Sequence, residues 1–202
     1  MIVLALAWSF VLAAATQGYE AYDGLKDQFT IDLPAGWRAY DQNQALSGKP
    51  SAEGVVVFSA QAVTKEGETT ADPNIMSRVD SGDLPSFFVD RQPAVKGISC
   101  AGFSKSEAYN LGVKLTSDPI FGAMRRYFSA MPIKHDKIQV GGCQGLRYKG
   151  EGKKGEWILD VRAVSDGKVL YLFSLRNTAA NYAKNIATFE KAIGTLKLAR
   201  RE

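Results

Sequence analysis

The sequence predicts an α+β domain built on an antiparallel β-sheet, and three observations carry that prediction. Strand-like segments at 137–149, 156–164 and 168–175 follow one another with only short turns between them, so neighbours pair antiparallel. An amphipathic helix then runs from Asn177 or Thr178 to about Ile193. Near the other end, Gln28-Phe29-Thr30-Ile31-Asp32-Leu33 alternates apolar and polar residues before Pro34-Ala35-Gly36 stops it, the pattern of a half-buried strand. Composition agrees: 46% hydrophobic and 23% charged residues in 202 lie near the globular average, which excludes collagen, coiled coil, a disordered tail and a cysteine-knit mini-protein. No apolar run reaches the roughly 20 residues of a spanning helix, so a polytopic membrane protein is excluded too. With no repeat or linker to divide the chain, one domain is expected.

In order along the chain, Met1 to Ala15 is uncharged and ends in Ala13-Ala14-Ala15. That is the apolar core and small-residue cleavage site of a secretory signal peptide, although no basic residue precedes it. Residues 16–26 read as a polar lead-in, with the domain proper at 27–199. Trp37 follows the first strand and is expected to fold back on the core. Gly54 to Val63 is β-branched and reads as a second strand. Lys65 to Asp83, punctuated by Gly, Asp-Pro and Ser-Gly, reads as a long surface loop. Asp83-Leu84-Pro85 looks like a cap and first turn of a helix reaching Arg91. Ser104-Lys105-Ser106-Glu107 is a capping box, followed by Ala108, Leu111 and Leu115 on one helical face. Asp118-Pro119 makes another cap, before a core stripe of Phe121, Met124, Phe128 and Met131.

In the strand at 156–164, Trp157, Leu159, Val161 and Ala163 share one face, opposite Ile158, Asp160, Arg162 and Val164. Val169-Leu-Tyr-Leu-Phe-Ser-Leu175 is apolar on both faces, as a central strand covered on both sides requires. The closing helix directs Tyr182, Ile186, Phe189 and Ile193 inward. Gly194 ends it, and Thr195 to Leu198 adds a short last strand.

Export changes the reading of Cys100 and Cys143, the only cysteines, with 42 residues between them. An oxidising compartment favours a disulfide, contributing about 4 kcal/mol by loop closure; two separate buried thiols are the alternative. Charge is uneven. Residues 16–100 hold 7 basic and 12 acidic residues, whereas 101–202 hold 18 basic and 9 acidic, net +9. The candidate partner-binding surface is therefore basic: Arg125, Arg126, Lys134, Lys137, Lys153 and Lys154. It suits an acidic protein partner or, less well, anionic lipid headgroups. Nucleic acid is excluded by export and by the lack of a basic motif interleaved with aromatics.

Phe29-Thr-Ile-Asp-Leu-Pro-Ala-Gly-Trp37, the late meander from Gly141-Gly142 through Trp157-Ile-Leu-Asp-Val-Arg-Ala-Val164 to Leu175, and the closing Phe189-Glu-Lys-Ala-Ile-Gly-Thr-Leu-Lys-Leu198 together resemble the PsbP-like superfamily, in its exported bacterial branch. Phe29, Pro34, Gly36 and Trp37 match the family's opening element, and Gly142 matches a glycine before the meander. The resemblance covers about residues 27–198. It implies a single twisted antiparallel sheet flanked by helices on both faces, an α/β/α sandwich. The superfamily has no shared chemistry, so it implies a binding or assembly role, with no cofactor.

Motifs for chemistry are weak beside that reading. Gly150-Glu-Gly152-Lys-Lys-Gly155 fits G-x-G-x-x-G literally, but a dinucleotide site needs a helix next, and here a strand follows, so a hairpin turn is expected. His135, the only histidine, could serve Cys100 or Ser99 as a base, making a hydrolase the enzymatic rival. One histidine and two distant cysteines cannot complete a zinc site, and Asp80, Asp83 and Asp90 lack EF-hand spacing. A small-ligand or lipid carrier, the other rival, would need an apolar cavity of about 300 Å³ or more.

Overall fold

The computed structural model describes residues 18–22, 28–41, 53–60, 78–79, 81–117, 134–152 and 155–199. The signal segment 1–15, the Asp118-Pro119 cap and the Phe121–Met131 stripe lie outside the described residues. Among those described, twelve strands and two helices follow one another in the order β1 (Tyr19–Tyr22), β2 (Phe29–Pro34), β3 (Arg38–Asp41), β4 (Gly54–Ser59), β5 (Ser86–Pro93), β6 (Ile98–Ser99), β7 (Gly102–Phe103), α1 (Lys105–Ser117), β8 (His135–Val140), β9 (Cys143–Glu151), β10 (Trp157–Ser165), β11 (Val169–Thr178), α2 (Ala179–Thr195) and β12 (Lys197–Leu198).

Seven strands form the main sheet, ordered β3-β4-β5-β11-β10-β9-β8, and every neighbouring pair is antiparallel. The expected single sheet is corrected: β1-β2-β12 form a separate three-stranded sheet, and β6-β7 a two-stranded one. The lead-in is corrected as well, since Tyr19–Tyr22 pairs with β2, Tyr22 opposite Ile31. An edge-to-face contact of the Tyr22 ring with Phe58, 5.0 Å between centroids, gives that short polar stretch an apolar anchor.

The helix expected from Asp83 to Arg91 is strand β5 instead. Ser86-Phe-Phe-Val-Asp-Arg91 is buried at every position, because it lies between β4 and β11 and both phases of the strand face packed side chains. Phe87 and Val89 join one core, Phe88 another. Bulky aromatic and β-branched side chains fit that doubly covered surface. Nor is the end of the 65–83 segment a surface loop, since Val79 is fully buried beside Leu84 and Phe88.

The strand expected at 137–149 is two strands. Gly141 and Gly142 have φ of 59° and 80°, so both central residues of a two-residue turn are left-handed. Only glycine adopts that without strain, and it is the turn that matches strand twist in a hairpin. Val140 pairs with Cys143 across it.

Helix α1 starts as expected: the Ser104 Oγ accepts the Glu107 N–H at 3.2 Å. The Ser104 N–H, however, donates to the Gly97 carbonyl at 3.0 Å, so the turn before β6 replaces the glutamate half of the capping box. Ala108, Leu111 and Leu115 pack with Leu170 and Leu172 of β11, Leu159 and Val161 of β10 and Tyr148 of β9. Helix α2 is capped by Thr178, whose Oγ1 accepts the Asn181 N–H. Tyr182, Phe189 and Ile193 pack with Tyr171, Phe173 and Leu175 of β11 and with Phe29, Ile31 and Leu33 of β2. Contrary to the expected stop at Gly194, α2 continues to Thr195. The Thr195 hydroxyl donates to the Ala192 carbonyl and accepts the Asp32 N–H, both at 2.8 Å, and buried Leu196 draws the chain back to the core. Burial of such side chains contributes about 1.5–3 kcal/mol each, which outweighs the cost of one helical glycine.

Candidate functional site

Strand β8 closes one end of the main sheet, and its first residues are exposed. Of the basic residues expected to form a partner surface, Lys134 and Lys137 are described and exposed here; Arg125, Arg126, Lys153 and Lys154 lie outside the described residues. Lys137 pairs opposite Leu146, and Gln139 opposite Gln144. Lys137, Ile138, Gln139 and Gln144 line an open depression of about 290 Å³. His135 is exposed and its ring sits 5.5 Å from that of Tyr148. Tyr148 is itself fully buried and donates its hydroxyl to the Ala108 carbonyl at 2.6 Å; burial pushes its pKa up.

Cys100 and Cys143 are joined in a disulfide, with Cα atoms 4.6 Å apart. The bond ties the β6-β7 loop to the first residue of β9, and the Gln144 N–H donates to the Cys100 carbonyl at 3.0 Å beside it. The sulfur of Cys100 is therefore bonded, which corrects its reading as a candidate thiol nucleophile. Ser99 Oγ accepts the Ala101 N–H, and no hydrogen bond joins Ser99 to His135. Asp83 and Asp90 are not neighbours in a loop. Asp83 Oδ2 accepts the Ser81 hydroxyl at 2.7 Å, and its Oδ1 the Asn181 amide at 2.9 Å; these bonds, the serine's first, hold its carboxyl below the usual range. Asp90 lies buried within β5 and accepts the Gln92 amide. Gly152 and Gly155 close the β9-β10 turn through the Gly155 N–H to Gly152 carbonyl bond at 3.0 Å, as expected of a hairpin. Among the described residues, no group of three or more His, Cys, Asp or Glu side chains is placed to hold a metal ion.

A charge cluster on the β10 face that carries Asp160 and Arg162 lies beneath α2. Asp160 is fully buried and accepts from Arg147 Nε at 3.1 Å, Arg147 Nη2 at 2.5 Å, Arg162 Nε at 3.2 Å and the Tyr182 hydroxyl at 2.8 Å. Burial alone would raise its pKa, but the bonds from Arg147, Arg162 and Tyr182 outweigh burial and lower it. Arg162 also pairs with Glu190 at 3.2 Å and lies over the Phe189 ring. Arg147 and Arg162 sit directly opposite each other in register, so the carboxylate between them relieves a like-charge contact. At the far end of the sheet, Arg91 is buried and pairs with Asp41 at 2.8 Å. The available signal was the alternation Asp160-x-Arg162 opposite Arg147-x-Lys149; charges repeating at period two on paired strands meet on one face.

These features define a disulfide-linked, antiparallel α+β protein with a PsbP-like fold. Cyanobacterial PsbP from Synechocystis sp. PCC 6803 superimposes with a TM-score of 0.56 at 13% identity, over 92% of this chain and 95% of that one. LpqN of Mycobacterium tuberculosis, described as involved in cell envelope biogenesis, gives 0.51 at 15% identity, over 90% and 91%. At these identities the likeness concerns the fold. No protein-family model and no curated protein sequence matches the chain. Among the described residues, no helix is long and apolar enough to cross a membrane.

Proposed function

We propose that this chain is an exported, non-enzymatic binding or assembly factor that acts on a partner protein. The carrying observation is the exposed terminal strand, which bears Lys137 with Lys134 just before it and one acidic residue, Asp136, in the half of the chain that bears a net +9. Two sets of buried charges, by contrast, pair internally: Asp160 with Arg147 and Arg162, and Arg91 with Asp41. Exposed cations of one sign speed encounter with an acidic partner and set its orientation.

The scaffold is an α/β/α arrangement in this reading. Helix α1 meets Leu170 and Leu172, while α2 meets Tyr171 and Phe173, and successive residues of a strand point to opposite faces. Export is supported by the apolar 1–15 segment, by the Cys100–Cys143 bond and by a fold neighbour described as taking part in cell envelope biogenesis. Against a carrier, the rings of Phe58, Phe87 and Phe189 pack in the core with centroids 5.0 and 5.4 Å apart. Against a hydrolase built on Cys100 stands its bonded sulfur, and Ser99, the other candidate, makes its hydrogen bond with the Ala101 N–H and none with His135.

Capture of partners from envelope extract, at about 50 mM and about 500 mM salt, tests this. The wild type should retain an acidic partner at low salt and lose it at high salt, and Lys134→Glu/Lys137→Glu should lose it at both. Capture indifferent to salt and to both substitutions would overturn the electrostatic docking.

A further inference from the structure

The geometry points to β8 as a strand-addition site: an extended, acidic segment of the partner protein would pair with its outer edge. This rests on the partner-binding reading above and names how the partner is held.

Strand β8 pairs with β9 on one side, and among the described residues no strand pairs with the other. Which backbone groups face outward follows from the hairpin. A two-residue turn places its flanking residues, Val140 and Cys143, in a hydrogen-bonded pair. Alternation then turns Ile138 and Asp136 toward β9, and leaves the N–H and C=O of Gln139, Lys137 and His135 directed away from the sheet. Two of the outward residues, Lys137 and Gln139, line the depression together with Ile138 and Gln144. An added strand would thus find main-chain partners and, alternately, a recess for its side chains, the two parts of recognition by strand addition.

Charge selects the occupant. Lys137 stands on the edge with Lys134 just before it, both exposed, while Asp136 between them lies opposite Arg147 and so points to the other face of the sheet. An edge lysine discourages pairing with apolar or basic strands, whereas an acidic residue opposite it contributes a favourable cross-strand pair. A second copy of this chain is the poorer match, because a two-fold antiparallel β8–β8 pairing centred on Lys137 sets lysine against lysine.

The probe is a short fluorescein-labelled peptide of alternating glutamate and valine, followed by fluorescence anisotropy against the disulfide-intact protein. Saturable binding is expected. Lys137→Glu should weaken it about fivefold. Lys137→Pro, which removes an outward N–H while sparing the bonds to β9, should weaken it about tenfold with an unchanged circular dichroism spectrum. If that variant misfolds, the same peptide N-methylated at alternate amides takes its place and should bind about tenfold more weakly. The inference is overturned by absence of saturable binding, by equal binding of an alternating lysine–valine peptide, or by a natively folded Lys137→Pro that binds as well as wild type. A β8-dependent dimer in sedimentation velocity would also overturn it, by making a second copy the occupant. Salt-dependent partner capture that survives Lys137→Pro would leave the proposed function standing and remove only this edge as its site.

Discussion

Replacing Asp160 by asparagine tests the buried charge cluster at nearly constant volume. The carboxylate accepts four hydrogen bonds from Arg147, Arg162 and Tyr182 and is fully buried. Asparagine keeps at most one acceptor oxygen and removes the negative charge between two arginines that face each other across β9 and β10. Removing one partner of a buried ion pair costs about 3–5 kcal/mol. The cost here belongs at the lower end, about 3 kcal/mol, because the Arg147 side chain is 28% exposed and Arg162 keeps Glu190. For a chain of this size that is a fall in Tm of about 6–12 °C. Urea titrations of wild type, Asp160→Asn, Arg147→Met and the double variant give the coupling, which should exceed about 1 kcal/mol. A cost below about 1 kcal/mol for Asp160→Asn, or strict additivity with Arg147→Met, would refute the reasoning. The same carboxyl has its pKa lowered in the folded state. Its contribution is present above the unfolded value near 3.9 and is lost as pH falls through the folded one. Acid unfolding should therefore be less steep in Asp160→Asn.

Further outcomes follow from other contacts. Cys100→Ser/Cys143→Ser should lose about 4 kcal/mol in guanidinium titrations, and thiol counting on the native wild type should find no free cysteine. Gly82→Ala should cost more than about 2 kcal/mol, because φ is 77° and the new Cβ would lie 2.4 Å from the Asn177 amide; a stability equal to wild type would show that Asn177 yields freely. Burial, with Asp160 beside it, pushes the Tyr182 pKa up to about 12. Stability from that group is full below the unfolded value near 10 and declines as pH rises toward 12. Tyr182→Phe should flatten this alkaline loss, as followed by circular dichroism.

Much of the fold was legible in local pattern. The alternation of Phe29 to Leu33, the short turns around Gly155 and Gly167 and the cap at Thr178 are decided by nearest neighbours, and the structure has the strands and helix they imply. The errors arose where distant packing decides. Asp83-Leu-Pro85 carries a helix-start signal, yet β4 and β11 flank the next residues and convert them to a strand covered on both faces. Gly194 resembles a helix stop, yet the Asp32–Thr195 bond and the burial of Leu196 keep the last turn wound. The pair Gly141-Gly142 lay within an apparently continuous strand, and the two-residue hairpin was the signal missed. At the candidate site, Lys137 and the cysteine pair were legible from composition and spacing. The edge position of β8 was not, because strand order is set by long-range pairing. The alternation of β10 separated Asp160 and Arg162 from Leu159 and Val161 but could not show that α2 covers Asp160 and that the arginines satisfy it.

Site-specific photo-crosslinking tests the binding role most directly. A benzophenone side chain at Gln139, on the outward edge of β8, is compared in envelope extract with one at Lys184, exposed on α2. The expected result is a discrete adduct from position 139 alone, whose crosslinked peptide is acidic and extended. No adduct at 139, or the same adducts from both positions, would contradict a partner held at the basic edge of the sheet.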